Sequence, residues 1–493
     1  MIVALWAVPV FSGLVALLPW PVAARRALLV GVAVAQAAMV VVAWLDRPGP
    51  MLGGWVALDA PGLLFLTITS ALFLAASIYA TGYLKRESDI DRRRDFITGV
   101  PFVNQPETIF IAGLLLFLGA MSLVAVSQHL GLLWAAVEGT TLASAPLIYF
   151  HRQKRALEAA WKYLVISSVG IALALLGTMF VSVAASAGGG GVDALVVGDL
   201  VDKAGNMDVR WLKAAFILVL VGYGTKMGLA PLHTWLPDAH SEAPSLVSAL
   251  LSGALLNTAF LGIMRVAQVC NAAGLYGFTS QLLILFGVLS MGVAAVFVLR
   301  QPDYKRMLAY SSVEHVGVLA FGVGIGGAAT YGAMFHAVNH SMVKGMLFLL
   351  SGNILAAFGT KASPVVTGLV RVLPVTGMLW LAGFLAITGS PPFGTFFSEL
   401  AVLKGGLDQG RWALSAVYLT LLATVFLGMA SAMLHMAQGR VSTPMEGRSK
   451  RESLLAVAPP ALLGLAALLL GLYLPAPLED VLRESARMFG GGN

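Results

Sequence analysis

Fourteen separate runs of mostly apolar residues divide this chain, and together they restrict what it can fold into more than any other feature. They lie near 2–19, 27–45, 62–84, 107–127, 129–150, 158–186, 211–241, 244–269, 278–299, 304–326, 329–357, 373–404, 411–436 and 453–474. A helix needs about 20 such residues to cross the hydrocarbon core of a bilayer. Composition agrees: 58% of the 493 residues are hydrophobic, 11% are charged and the mean hydropathy is +0.85, whereas soluble domains carry about 25% charge. The first run, "MIVALWAVPVFSGLVALLP", has no basic flank and no small-residue cleavage site. It reads as a first transmembrane helix and not as a signal peptide. The only cysteine, Cys270, rules out a disulfide framework, a CxxC redox pair and cysteine-held iron–sulfur clusters.

Basic residues test the count. With the N-terminus outside, the inner loops hold Arg25, Arg26, Lys85, Arg86, Arg92 to Arg94, Arg152, Lys154, Arg155, Arg300, Lys305, Arg306, Lys361, Arg371, Arg440, Arg448, Lys450 and Arg451. The outer loops and tail hold only Arg47, Lys203, Arg210, Lys404, Arg411, Arg483 and Arg487. That asymmetry predicts an even number of spans with both termini outside, and it accounts for the net charge of +7 without nucleic acid.

Two runs are too long. The seventh and twelfth would each span about 45 Å as straight helices, against a core of about 30 Å. Both contain prolines, Pro231 and Pro237 in "GYGTKMGLAPLHTWLPDAHSE" and Pro391 and Pro392 in "TGSPPFGTFFSE". Proline removes an amide donor and clashes with the preceding turn, so both are expected to be broken helices. The breaks are five spans apart, an odd number, so spans 4–8 and 9–13 have opposite orientations. Paired breaks in inverted repeats point to an ion pathway at the midplane. The chain thus reads as an all-α polytopic membrane protein of about 14 helices. Its expected divisions are 1–106, the first repeat 107–277, the second 278–436, and a last helix with a short tail, 437–493.

Ionisable residues at a helix centre cost about 2.5–3.5 kcal/mol each and are by default functional candidates. Glu138 lies midway along span five and Lys226 precedes the break of span seven. Glu314 and His315 sit centrally in span ten, and Glu399 follows the break of span twelve. In "YGAMFHAVNHSMVKGMLFLL", His336, His340 and Lys344 recur every four residues and so share one helix face. His240 flanks the first break. Each has a plainer reading: a static Glu138–Lys226 ion pair, a core His336, His233 and His240 as caps, and Lys162 and Arg265 as snorkelling anchors. His336 and His340 have the spacing of a zinc helix, but with no HExxH and no third donor apparent, no metal is expected. No phosphate-binding glycine loop or dinucleotide fingerprint appears, so nucleotide hydrolysis is not expected. Alternating acids and bases suit proton transfer, with Lys226 holding its proton while Glu138 is near and releasing it when they separate.

At "KMGLAPLHTWLPDAHSEAPSLVSALLSG", "YKRMLAYSS", "HSMVKGMLFLLSG" and "PPFGTFFSEL" the chain resembles the antiporter-like subunits of respiratory complex I, Mrp cation/proton antiporters and membrane-bound hydrogenases. The resemblance covers nearly the whole chain and implies fourteen helices with two inverted five-helix units. It makes Glu138 and Lys226 the paired carriers of the first unit and Lys344 and Glu399 carriers of the second. Asn257 stands where many relatives have lysine or histidine in span eight. A neutral amide can bridge a water wire but cannot store a proton; Glu314 and His315 compensate in this reading. "SSVEHVG" and "FHAVNHSMVKGMLFLLSGN" look most like the F-type antiporter-like chains of hydrogenase-4 and formate hydrogenlyase complexes, without the long lateral helix of the distal complex I subunit.

The resemblance implies a multi-pass protein of a prokaryotic cytoplasmic membrane, with no catalytic centre and no cofactor in this chain. Nickel–iron and iron–sulfur centres are expected in partner subunits: other membrane chains and a peripheral redox arm bearing hydrogenase, with formate dehydrogenase as an optional addition. Competing readings are a sodium/proton antiporter subunit, a subunit of complex I itself, a structural anchor, and proton-driven uptake of a small inorganic substrate.

Overall fold

The computed structural model describes residues 1–88, 93–94, 99, 101–187, 195–441 and 452–489. Arg92, Arg448, Lys450 and Arg451 of the basic loops, and the glycine run of the longest loop, lie outside these residues.

The described chain is almost entirely helical. It begins with α1 (Ala4–Ala16), α2 (Val22–Leu45), α3 (Ala60–Ser88), α4 (Glu107–Val126), α5 (Leu130–Ile148) and α6 (Lys154–Ala187). A short α7 (Val197–Asp202) leads into α8 (Val209–Met227) and α9 (Trp235–Glu242), which together form the seventh span. The eighth joins α10 (Ser245–Leu250) to α11 (Leu256–Ala272) through a π-helical turn, Leu251–Leu255. Next come α12 (Tyr276–Val298), α13 (Tyr304–Ile325), α14 (Ala328–Phe358) and a single turn, α15 (Leu369–Val372). The twelfth span is α16 (Pro374–Ile387) with α17 (Gly394–Asp408), followed by α18 (Trp412–Gln438), α19 (Leu454–Leu472) and α20 (Ala476–Phe489). Eleven spans are long and apolar enough to cross a membrane as single helices. With α1, α8–α9 and α16–α17 they make fourteen passages.

Two five-helix units of opposite orientation result: α4, α5, α6, α8–α9 and α10–α11, then α12, α13, α14, α16–α17 and α18. In each, the third helix packs along the broken fourth, α6 on α8 and α14 on α17. Without a hydrophobic force between helices in lipid, close packing needs small residues at the contact. Gly222 of α8 meets Gly170 and Ala174 of α6, and a Cβ there would come within 2.5 Å of the Ala174 amide. The spans formed by α10–α11 and by α13 are wholly buried, whereas α2, α6, α18 and α19 turn apolar faces outward. The two wholly buried spans are less apolar than these four outward-facing ones.

The seventh and twelfth passages are broken as expected, each a pair of helices whose first member is followed by a left-handed glycine, Gly228 at φ 85° and Gly389 at φ 62°. Two expectations change. The segment after α19 is a further helix, α20, missed by a search for apolar runs because only one of its faces is apolar. That face buries Val481, Leu482 and Phe489 against α3, α11 and α14. Arg265 does not snorkel; its fully buried guanidinium pairs with both carboxylate oxygens of Asp59, at the start of α3. Breaking a buried pair from one side leaves an uncompensated charge, at about 3–5 kcal/mol. Asp59→Asn should therefore lower the unfolding midpoint in detergent, and the double change Asp59→Leu, Arg265→Met should restore much of it. Equal stability of wild type and Asp59→Asn would refute this role.

Candidate functional site

Lys226 lies in the last turn of α8, fully buried. Helix C-termini carry partial negative charge and favour a cation. Its Nζ donates to Thr141 Oγ1 at 2.8 Å and to the Tyr163 hydroxyl at 2.5 Å. Thr141 Oγ1 donates in turn to Glu138 Oε2 at 3.1 Å, and Ser168 Oγ donates to Glu138 Oε1 at 3.2 Å. The direct Glu138–Lys226 pair expected from the sequence is thus replaced by a relay. Thr141, one turn further along the same face of α5, takes the position opposite the lysine. Hydrogen positions follow from counting donors. Ser144 gives its only hydrogen to the Thr140 carbonyl at 2.6 Å, so at 2.6 Å it accepts from Tyr163. Tyr163 in turn accepts from Lys226.

The break is satisfied within the protein, as membrane depth requires. Trp235 Nε1 donates to the Thr225 carbonyl at 2.8 Å, and Ser290 Oγ of α12 accepts the Ala230 amide at 2.9 Å. Pro231 lies in this loop and Pro237 in the first turns of α9. In the second break, Thr395 Oγ1 bonds the Ala386 carbonyl and the Ser390 amide reaches Leu385 at 2.9 Å, with Pro391 and Pro392 exposed at the turn. Lys162, half-exposed, bonds Glu158 at 2.6 Å and Asp238 at 3.0 Å, a surface pair of little energetic weight.

Between the two units stand single polar groups. His240 is buried with its ring stacked on Phe348 at 4.9 Å, and neither ring nitrogen has a partner. Asn257, just past the π turn, donates to the Gly253 carbonyl at 2.9 Å and to Ser341 Oγ of α14 at 2.8 Å. It therefore ties the first unit to the second. Lys344 donates to the Leu308 carbonyl at 2.7 Å and to Ser311 Oγ, both on α13. None of these three hydrogen-bonds directly to another ionisable side chain among the described residues.

The second unit brings five of the expected groups together. His315 Nδ1 and His336 Nε2 are 3.0 Å apart, and His336 Nδ1 is 3.0 Å from Ser398 Oγ. Ser398 gives its hydrogen to the Thr395 carbonyl at 2.8 Å, so it accepts from His336. With neutral rings, His336 then accepts from His315, whose Nε2 is buried beside the Ile387 carbonyl. Glu314 Oε2 lies 4.0 Å from that nitrogen. His340 is 4.8 Å from His315 between ring centroids, and both its nitrogens lack partners. The Glu399 side chain fills the space beside Gly389 in the break. His315, His336 and Glu399 can each offer a ligand atom within 4.8 Å of the others. His340 is not in this group; the donors near His336 come from α13 and α17.

Thr141, Tyr163, Ser144, Ser311 and Ser398 were not singled out from the sequence. A signal existed for two of them, since Glu138, Thr141 and Ser144 recur every three residues on α5. Tyr163 and Ser398 had none, because only folding brings α6 and α17 to their partners.

Inverted five-helix units with ionisable groups at paired breaks define a class of membrane ion-translocating subunits. This chain belongs to the NADH:quinone oxidoreductase/Mrp antiporter transmembrane family, which it matches over residues 127–427. It is 35% identical to the hydrogenase-4 component F homolog of Methylacidiphilum infernorum, over 72% of this chain and 74% of that one. It is 30% identical to NADH-quinone oxidoreductase subunit N of Desulforudis audaxviator, over 71% of each. Other curated relatives are longer, and the match covers about half of them. A chain in the Mrp complex structure from Dietzia superposes with a TM-score of 0.82 at 20% identity, over 99% of this chain and 97% of that one. The chain is a multi-pass, proton-translocating membrane subunit of the complex I/Mrp type.

Removing the Thr141 hydroxyl tests the relay with both charges in place. A hydrogen bond to a charged group is worth about 1.5–3 kcal/mol. Thr141→Val should therefore slow proton transfer roughly ten- to hundredfold in liposomes holding the intact assembly, while Thr141→Ser keeps the wild-type rate. Unchanged flux in Thr141→Val would mean that Glu138 and Lys226 are a static pair.

Proposed function

We propose that this chain moves protons in response to electron flow in partner subunits, as part of a membrane-bound hydrogenase of the kind that contains hydrogenase-4. The observation that carries proton carriage is the Lys226–Thr141–Glu138 relay, in which every hydrogen already points from the lysine toward the carboxylate. One concerted shift moves a proton from Lys226 to Thr141 and from Thr141 to Glu138. It turns an ammonium and a carboxylate into an amine and an acid, with no net change in charge. Reversal by an arriving charge, or by bending at the break, completes a cycle. In this reading Glu138 and Lys226 carry protons in the first unit and Lys344, Glu314, His315, His336, His340 and Glu399 in the second. His240 and Asn257 bridge them through water. Pro231, Pro237, Pro391 and Pro392 keep the helices open at the two access points.

The redox-driven assignment follows the similarity to the hydrogenase-4 component F homolog. It implies a prokaryotic inner membrane, nickel–iron and iron–sulfur centres in neighbouring subunits, and a peripheral arm with hydrogenase and, in some assemblies, formate dehydrogenase. A second reading, sodium/proton exchange or a place in complex I itself, is supported by the shared family and by the fold likeness to the Mrp complex.

Mild-detergent purification of the tagged chain, with mass spectrometry of what accompanies it, separates these readings. Hydrogenase and iron–sulfur subunits are expected. Recovery of only other antiporter-like chains, with sodium-dependent proton flux in vesicles, would replace the redox reading by exchange. Within either assembly Lys226→Met should abolish coupled proton transfer while the partners still co-purify. Normal pumping in that variant would remove the pathway.

A further inference from the structure

We propose that the second unit contains a binding site for a divalent transition-metal ion of the zinc type, formed by His315 of α13, His336 of α14 and Glu399 of α17, with His340 beside them. All four side chains are buried. The first three can present ligand atoms within 4.8 Å of one another, and two imidazoles with a carboxylate form a typical zinc donor set. Zinc–imidazole bonds of about 2.0–2.1 Å put two ligand nitrogens on a tetrahedral ion roughly 3.3 Å apart. His315 Nδ1 and His336 Nε2 stand 3.0 Å apart, close to that spacing, and rotation of the two rings would turn both lone pairs toward one ion.

Beside these ligands both buried nitrogens of His340 lack a protein partner. Buried polar atoms rarely go unpaired, so this cluster has room for a further polar group or ion. The surrounding groups supply what a metal-bound histidine requires of its other nitrogen, an acceptor that fixes the ring. Ser398 Oγ accepts from His336 Nδ1 at 3.0 Å and is held by its own bond to Thr395. Glu314 Oε2, 4.0 Å from His315 Nε2, is placed to do the same for His315. On binding, the proton on His315 Nδ1 moves to Nε2 and faces Glu314, while the metal takes the vacated lone pair. Glu399 binds as the carboxylate, so a proton it carries is released to solvent as the metal enters. Gly389 of the break adjoins Glu399.

The site goes beyond proton carriage and is tested without measuring it. The full chain, purified with its membrane partners and stripped by a chelator, is equilibrated with zinc alone against a competing chelator. Bound metal is counted by mass spectrometry, and its ligands are read by X-ray absorption. One zinc per chain is expected, with only nitrogen and oxygen neighbours at about 2.0–2.1 Å. His336→Ala and Glu399→Gln should each weaken binding at least tenfold. Ser398→Ala, which leaves all ligands in place, should weaken it by roughly 10–100-fold and stands in if either ligand variant fails to assemble. Lys226→Met, in the other unit, should bind zinc as the wild type does. No zinc above the chelator background overturns the site, as does zinc held equally well by the ligand variants and Ser398→Ala. Neither result touches the proton reading, which stands or falls on flux.

Discussion

A helix can stop in the middle of a bilayer only if other protein groups take over the hydrogen bonds it gives up, and the site depends on that condition. At the end of α8 the takeover is specific. Trp235 reaches back to the Thr225 carbonyl, and Ser290 of the opposite unit accepts the Ala230 amide. The first break is therefore held partly by the second repeat. Once the helix may end there, Lys226 occupies its last turn, where the helix dipole favours a cation and where α5 and α6 present hydroxyls instead of an apolar wall. Without those two bonds the freed amide and carbonyl would each cost several kcal/mol in hydrocarbon.

The hydroxyls around Lys226 do more than solvate it. A serine, threonine or tyrosine has one hydrogen to give, so fixing where it goes fixes the direction of the whole chain. Ser144 is committed to a backbone carbonyl, which forces Tyr163 to donate to it and to accept from the lysine. Thr141 accepts from the lysine and donates to Glu138. The same constraint at Ser398 orients both histidines of the second unit. Polar networks of this kind are costly when partly satisfied. The network at Lys226 is complete, whereas the one at Ser398 ends beside the unpartnered nitrogens of His340.

Much of this was legible in the sequence, and for definite reasons. Charges and prolines inside apolar runs are too expensive to be accidental, so Lys226, Glu399 and both breaks could be picked out, and the parity of the spacing implied the inversion. The every-fourth-residue stripe of His336, His340 and Lys344 did turn out to be one buried face, against α13. Contacts between helices were not legible. A glutamate and a lysine on neighbouring spans suggest a direct bond, and only the placement of α5 shows Thr141 between them. Arg265 near a helix end looks like an anchor until α3 brings Asp59 to it. Helix α20 escaped because a search for lipid-crossing runs looks for uniform apolarity, whereas a helix lying on the bundle needs only one apolar face. Grouping His315 with His336 required the packing of two helices that the sequence order alone does not specify.

The contrast between the units bears on how one chain can hold a charge at one break and none at the other. Around Lys226 every neighbouring oxygen is available to a cation: two hydroxyls directly, a carboxylate one bond further, and the end of a helix. Around His315, His336 and His340 the hydroxyl of Ser398 is committed as an acceptor at one end, and at the other stand unpaired nitrogens with Glu314 and Glu399 close by. The first cluster thus surrounds a lysine with oxygens, while the second gathers imidazoles and carboxylates. Asn257 and Ser341 join the halves through neutral groups that cannot hold charge themselves.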